Sequence, residues 1–157
     1  MKYVELIKAW VQEQEWDDEV SYDEDTSESR LHVVVNINEQ AVKVFIEGDE
    51  NRGWLSLYMY APFNCKKEKF GDLLKLINRL NQNTYFGKMV LLDDGTIQYK
   101  QIIGANPETM TTEILERMYR TGIAVYEHWL DDIASISLTK TTFAAWEKSQ
   151  AAEDDQS

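Results

Sequence analysis

Few groups in this chain could do chemistry. His32 and His128 are its two histidines, and a hydrolytic triad needs a nucleophile, a base such as histidine and an acid to orient it. His32 opens an apolar strand and reads as a structural residue. His128 falls in a helical stretch, with Asp132 four residues on and Glu127 and Asp131 beside it. One helix face could thus offer ligands to a divalent metal, but nothing completes four-coordination, and the pair reads as a surface hydrogen bond. Cys65 precedes Lys66, Lys67 and Lys69 near the start of a predicted helix. Such a setting lowers a thiol pKa and suits a redox sensor; an incidental cysteine is the simpler reading. The acids Asp17-Asp18-Glu19 and Asp23-Glu24-Asp25 lack the glycine-containing loop of a calcium site and read as solvating charge. Gly48, Gly53, Gly87 and Gly95 are isolated and form no phosphate-binding loop. With 28 acids in the chain, no carboxylate pair stands out for acid–base work.

What remains is chemistry of contact. Trp54, Tyr58 and Tyr60 alternate along one strand and fall on one of its sides. Such a row is either core under a helix or an exposed anchor for another protein, a role in which Trp and Tyr are enriched. Residues 66–88 carry Lys66, Lys67, Lys69, Lys75, Arg79 and Lys88 against Glu68 and Asp72, in a chain of net charge −12. This is a solvated helix face or a cationic rim that docks an acidic segment.

The elements that must position these groups follow from periodicity. Residues 2–14 read as a helix, with Tyr3, Val4, Leu6, Ile7, Trp10 and Val11 on one face. Trp16, Val20 and Tyr22 suggest a short strand with a wet side, and residues 23–29 a polar, mobile loop. Three strands follow: Leu31–Ile37, Ala41–Glu47 and Trp54–Tyr60. Short turns join them into an antiparallel meander that Pro62 ends, because proline lacks a ladder amide. A helix capped by Asn64 carries Phe70, Leu73, Leu74, Ile77 and Leu80 on one face. A strand from Phe86 to Leu92, apolar on both sides and so expected in the middle of the sheet, then turns at Asp94-Gly95. That dipeptide favours a two-residue type I′ hairpin into Thr96–Ile103. Asn106-Pro107-Glu108 opens a long helix to Ile133, about 40 Å at the standard rise, interrupted at Gly122 where close packing or a bend is expected. Its stripe is Met110, Ile114, Leu115, Met118, Val125, Trp129 and Ile133, and a helix of that length suggests an end that projects or meets another subunit. Ile136 and Leu138 read as extended, Thr142 as the cap of a short helix with Phe143 and Trp146, and Glu153-Asp154-Asp155 as a disordered acidic tail.

The run from Leu80 to Gly95 (Leu-Asn-Gln-Asn-Thr-Tyr-Phe-Gly-Lys-Met-Val-Leu-Leu-Asp-Asp-Gly) resembles the bacterial YbjN-type family. Its pattern is a helix ending in Asn, an aromatic-Gly-basic strand start, an acidic-Gly hairpin and a long helix. The resemblance covers the element order from about Met1 to about Ile133. It implies a sensory-transduction regulator and a fold like that of type III secretion chaperones, which are small, acidic, cytoplasmic, commonly dimeric proteins that hold a partner on exposed apolar surface.

Composition sets the frame. At 157 residues the chain is one α+β domain over residues 1–139, with 140–157 as a short helix and partly disordered acidic tail. The expected order is α-β-β-β-β-α-β-β-α, an antiparallel sheet with helices mainly on one face. Net charge −12 disfavours nucleic acid and anionic membranes. No apolar run approaches the ~20 residues that span a bilayer, the start Met1-Lys2-Tyr3-Val4-Glu5 leads to the expectation of no secretory signal, and the single cysteine forms no internal disulfide. A cytoplasmic location is expected. The functional expectation is a non-enzymatic, protein-binding, chaperone-like regulator, homodimeric and without cofactor or metal. Trp54, Tyr58 and Tyr60 would be its anchors, and Lys66, Lys69 and Lys75 its charged rim. The alternative is a small-ligand or metal sensor near His128 or Cys65.

Overall fold

A computed structural model describes residues 2–104 and 106–156. In chain order the elements are α1 (Tyr3–Glu13), β1 (Val20–Asp23), β2 (Glu28–Ile37), β3 (Gln40–Asp49), β4 (Trp54–Asn64), a 3-10 turn (Lys67–Lys69), α2 (Phe70–Gln82), β5 (Lys88–Leu91), β6 (Thr96–Gly104), α3 (Thr112–Leu138) and α4 (Phe143–Gln156). The fold is α+β. Six strands form one antiparallel sheet in the order β1-β2-β3-β4-β6-β5, and α1, α2 and α3 lie against one face of it.

Strand alternation sets up the two faces. Leu31, Val33, Val42, Val44, Ile46, Leu55, Leu57, Met59, Ile97 and Tyr99 are buried toward the helices. α1 returns Leu6, Ile7 and Trp10 to them, and α3 returns Leu115, Tyr126, Leu130 and Ile133. The close packing expected at Gly122 is present: a Cβ there would stand 2.4 Å from the Met59 sulfur. Glu116 ties α1 to α3, accepting hydrogen bonds from Trp10 Nε1 (2.8 Å), Gln14 Nε2 (2.7 Å) and Arg120 Nε (2.7 Å).

Several elements differ from the sequence reading. Trp16 leaves the strand and sets its ring 5.2 Å from Trp10. The acidic loop is a short turn with Ser27 at φ 57°, and β2 starts at Glu28. β4 runs past Pro62 to Asn64, with its register shifted between Tyr60 and Asn64, so the proline is absorbed by an irregularity rather than ending the strand. Asn64 is therefore a strand residue and not a cap; α2 starts at Phe70 and has no side-chain cap. Leu76, not Leu74, completes its buried face, and Leu74 is exposed.

The hairpin is also built differently. Gly95 N–H donates to Leu92 O (2.9 Å), Leu92 N–H donates to Thr96 O (2.8 Å), and Gly95 alone takes positive φ (91°). That is a three-residue loop with a glycine bulge, because Asp93 and Asp94 keep the negative φ that suits them. β5 pairs only with β6 and is an edge strand, not a central one. Its apolar second side does not reflect burial between strands: α2 flanks it. There the Asn81 side-chain amide grips the Met89 main chain, accepting from its N–H (2.9 Å) and donating to its C=O (3.0 Å).

The long helix has the expected length but sits further along. Asn106 makes a turn, accepting from the Glu108 N–H (3.0 Å), and α3 spans 27 residues from Thr112. Ile136 and Leu138, read as extended, belong to this helix. Tyr119, Tyr126 and Leu130 occupy its buried stripe, while Val125 and Trp129 lie at the stripe's margin. Thr142 Oγ1 caps α4 by accepting from the Ala145 N–H (3.1 Å), and Asp72 Oδ1 accepts from the Phe143 N–H (2.9 Å). Trp146 is buried, and Arg79 pairs with Glu147.

Candidate functional site

The face of the sheet turned away from the helices carries the contact chemistry. Register aligns its side chains in rows across the strands. One row is His32, Phe45, Tyr58, Lys100 and Lys88; the next is Val34, Lys43, Tyr60, Gln98 and Val90. Trp54 stands at one end, opposite Asp49 and Gly104. It is 44 % exposed, as befits a residue no helix covers.

The row is ordered by ring contacts. His32 stacks on Phe45 with centroids 4.3 Å apart, and Phe45 meets Tyr60 edge-on at 5.6 Å. The Arg30 guanidinium lies 4.5 Å above Phe45, and that of Arg52 lies 5.4 Å from Trp54. Gln98 Nε2 donates to the Tyr60 hydroxyl (2.9 Å). A depression of about 590 Å³ opens between Arg30, Val34, Lys43, Phe45, Tyr60 and Pro62.

Charge on this face is divided between its two ends. Arg30 pairs with Glu47 (3.2 Å) and Arg52 with Asp49 (3.8 Å). Lys43, Lys88 and Lys100 enter no ion pair among the described residues, and they stand on the same face. Glu28 joins Glu47 and Asp49 at the Trp54 end of this face, and Lys43, Lys88 and Lys100 make its other part, beside Tyr58 and Tyr60, cationic.

Of the residues singled out by sequence, Trp54, Tyr58 and Tyr60 lie together on this face. The lysines do not gather beside them as a set. Lys69 turns inward, donating to Thr141 O (2.7 Å) and pairing with Asp72 (3.7 Å), and so fixes the start of α4. Lys66 is exposed before the 3-10 turn, and Lys75 is exposed on α2. Phe45, Arg30, Lys43 and Lys100 were missed. The signal for them was present: once Asn38-Glu39 is a two-residue turn with both φ positive (49° and 65°), the register of β2 on β3 follows, and with it the whole row.

Cys65 is buried, and burial pushes its thiol pKa up, outweighing a hydrogen bond with Ser137 and the charge of Lys69. The expectation of a lowered pKa fails because Cys65 lies five residues before α2 starts and is shielded from water. His32 is exposed on the sheet, stacked on Phe45 rather than set in a core. His128 is exposed on α3, its ring 4.9 Å from that of Trp129. Among the described residues, no three His, Cys, Asp or Glu side chains converge as a metal site, and no helix is long and apolar enough to cross a membrane.

Residues 3–134 match the sequence profile of the YbjN family, described as "Putative bacterial sensory transduction regulator". Curated protein sequences yield no match. Solved structures do. A chain of the ExsC–ExsE complex is 17 % identical with a TM-score of 0.56, over 82 % of this chain and 90 % of that one. A chain of the HopA1–SchA chaperone–effector complex is 17 % identical with a TM-score of 0.53, over 80 % and 90 %. The crystal structure of YbjN from E. coli is 11 % identical with a TM-score of 0.51, over 82 % and 92 %. At these identities the likeness is one of fold.

Proposed function

From the premise that this chain belongs to the YbjN family, we propose that it is a non-enzymatic, chaperone-like regulator that works by binding another protein, as a homodimer in the bacterial cytoplasm. Residues 1–139 form the binding domain and 140–157 an appended segment. The observation that carries this reading is the uncovered sheet face: Trp54, Tyr58 and Tyr60 along β4 with Phe45 opposite Tyr58, flanked by Lys43, Lys88 and Lys100. Aromatic side chains with two χ angles give large contact area at small entropic cost, and cations beside them select an acidic partner. That two chains of like fold come from complexes, one of them between a chaperone and an effector, supports the reading.

The partner that fits is a protein segment carrying both acidic and apolar side chains. The cation row would repel a basic segment, and a purely apolar one would leave the lysines without a counter-charge. Lys66 and Lys75 contribute long-range attraction from beyond the face.

The test is affinity capture by the immobilised full chain from native extract, with Trp54→Ala/Tyr58→Ala and Lys100→Glu as parallel baits. One protein recovered in fixed ratio by the wild type, lost with the aromatic pair and weakened roughly tenfold by Lys100→Glu, is the expected result. Capture that is indifferent to both variants would remove the sheet face as the site.

A further inference from the structure

The last helix, α4, lies over a groove between α2 and α3. Phe143 and Trp146 fill it, their rings stacked at 5.6 Å. Trp129 of α3 lies 6.0 Å from Trp146, and the Arg79 guanidinium of α2 stands 5.5 Å from the Phe143 ring. Polar contacts fix the entry of the helix. Lys69 Nζ donates to Thr141 O (2.7 Å), Asp72 Oδ1 accepts from the Phe143 N–H (2.9 Å), and Arg79 pairs with Glu147. The groove is thus aromatic on its α3 side and carries a guanidinium on its α2 side. What it accepts is shown by α4 itself: two aromatic side chains three positions apart, with an acid directly after the second.

The hold on α4 is slight. From Ala144 to Asp155 only Trp146 is buried and only Gln150 is half-buried. The Trp146 indole N–H is buried without a hydrogen-bond acceptor, which offsets part of the gain from burying its ring. The Arg79–Glu147 pair is exposed on both sides, and such pairs contribute little. Glu153, Asp154 and Asp155 stand near the C-terminus of the helix, the negative end of its dipole. By contrast, α3 buries nine residues between Leu115 and Ser137. The family match ends at residue 134, so α4 is an addition to the domain that the profile describes.

We propose that α4 is a displaceable plug in a helix-docking groove, and that a partner helix of the same pattern, aromatic-x-x-aromatic-acid, takes its place between α2 and α3. Recognition of a helix in a groove rests on a few anchors at such spacing. A helix with a basic residue in place of the acid would meet Arg79 as a like charge. An internal occupant lowers the apparent affinity for a partner by the fraction of time the groove is open. A weakly held helix opens locally while the rest of the fold stays intact, and this permits exchange. The groove lies on the helical side of the molecule, so this inference does not depend on the uncovered sheet face.

The test uses the full chain and a fluorescein-labelled peptide of residues 140–157. In hydrogen exchange of the wild type, the α4 amides are expected to open together while those of α3 and the sheet stay protected. Amides of α4 that exchange only with global unfolding overturn the inference. In fluorescence anisotropy, Trp146→Ala and Glu147→Arg chains, whose own helix is loosened, are expected to bind the peptide roughly tenfold or more tightly than the wild type. The peptide brings the native Trp and Glu to the vacated groove. Glu147 is exposed, so Glu147→Arg keeps the core intact and decides the matter if Trp146→Ala fails to fold. A Trp54→Ala/Tyr58→Ala chain is expected to bind like the wild type. Equal binding by the wild type and the loosened chains, or binding by none of them, overturns the groove as a docking site. Binding that is lost with the sheet-face pair overturns it too.

Discussion

At the scale of single residues, the side chains that matter most are held by polar contacts the sequence does not advertise. Glu116 is one charged residue among many on α3, yet it receives Trp10, Gln14 and Arg120. Partial burial acts to raise its pKa, but the hydrogen bonds from Arg120, Trp10 and Gln14, with the Arg120 charge, outweigh it and hold the carboxyl below its ordinary value. A carboxyl depressed in the folded state stabilises the fold above its unfolded pKa of about 4.3, and that contribution is lost as pH falls through the lower folded value. Urea unfolding of wild type and Glu116→Gln across pH 7 to 2 should therefore converge at the acid end. A gap that stays constant with pH would show that the carboxylate charge is irrelevant to the tie between α1 and α3. Cys65 teaches the complementary lesson. Its lysine neighbours were visible in the sequence, its burial was not, and burial dominates.

At the scale of elements, the sequence announced the order of strands and helices and the α+β class, because periodicity and turn dipeptides are local signals. It failed where neighbours decide. Pro62 did not stop β4, since the register shift after Tyr60 takes up the missing amide. β5 looked central because its second side is apolar, but α2 rather than a strand lies against it. The site was half legible for the same reason. Alternation put Trp54, Tyr58 and Tyr60 on one side of β4, but which side the helices would cover was a tertiary outcome. The Asn81 clasp on Met89 is testable at this scale. Asn81→Ala leaves a strand N–H and C=O without their partners and should cost about 1–3 kcal/mol in urea unfolding. The Met89 amide should also exchange faster than in wild type. Unchanged exchange at Met89 would mean that α2 shields this edge by bulk alone.

At the scale of the whole molecule, charge is distributed against itself. The chain carries net charge −12, while Lys43, Lys88 and Lys100 stand without ion-pair partners among the described residues on one part of the sheet face. Salt should therefore act with opposite signs on two properties. Screening the overall repulsion raises the melting temperature, because a large net charge destabilises the compact state. Screening the cation row weakens capture of an acidic partner. Melting curves and partner affinity measured over the same salt series check this; two properties that move together would argue against a cationic docking face.

The clasp at Met89 has one more consequence. Polymers that grow strand by strand need two receptive borders on every molecule, one to accept the last addition and one to offer the next. Here the β5 border is occupied by an amide from the molecule's own helix. A strand added there must first displace the Asn81 side chain from the Met89 main chain. A fibre built by adding β5 borders to one another is disfavoured by that clasp.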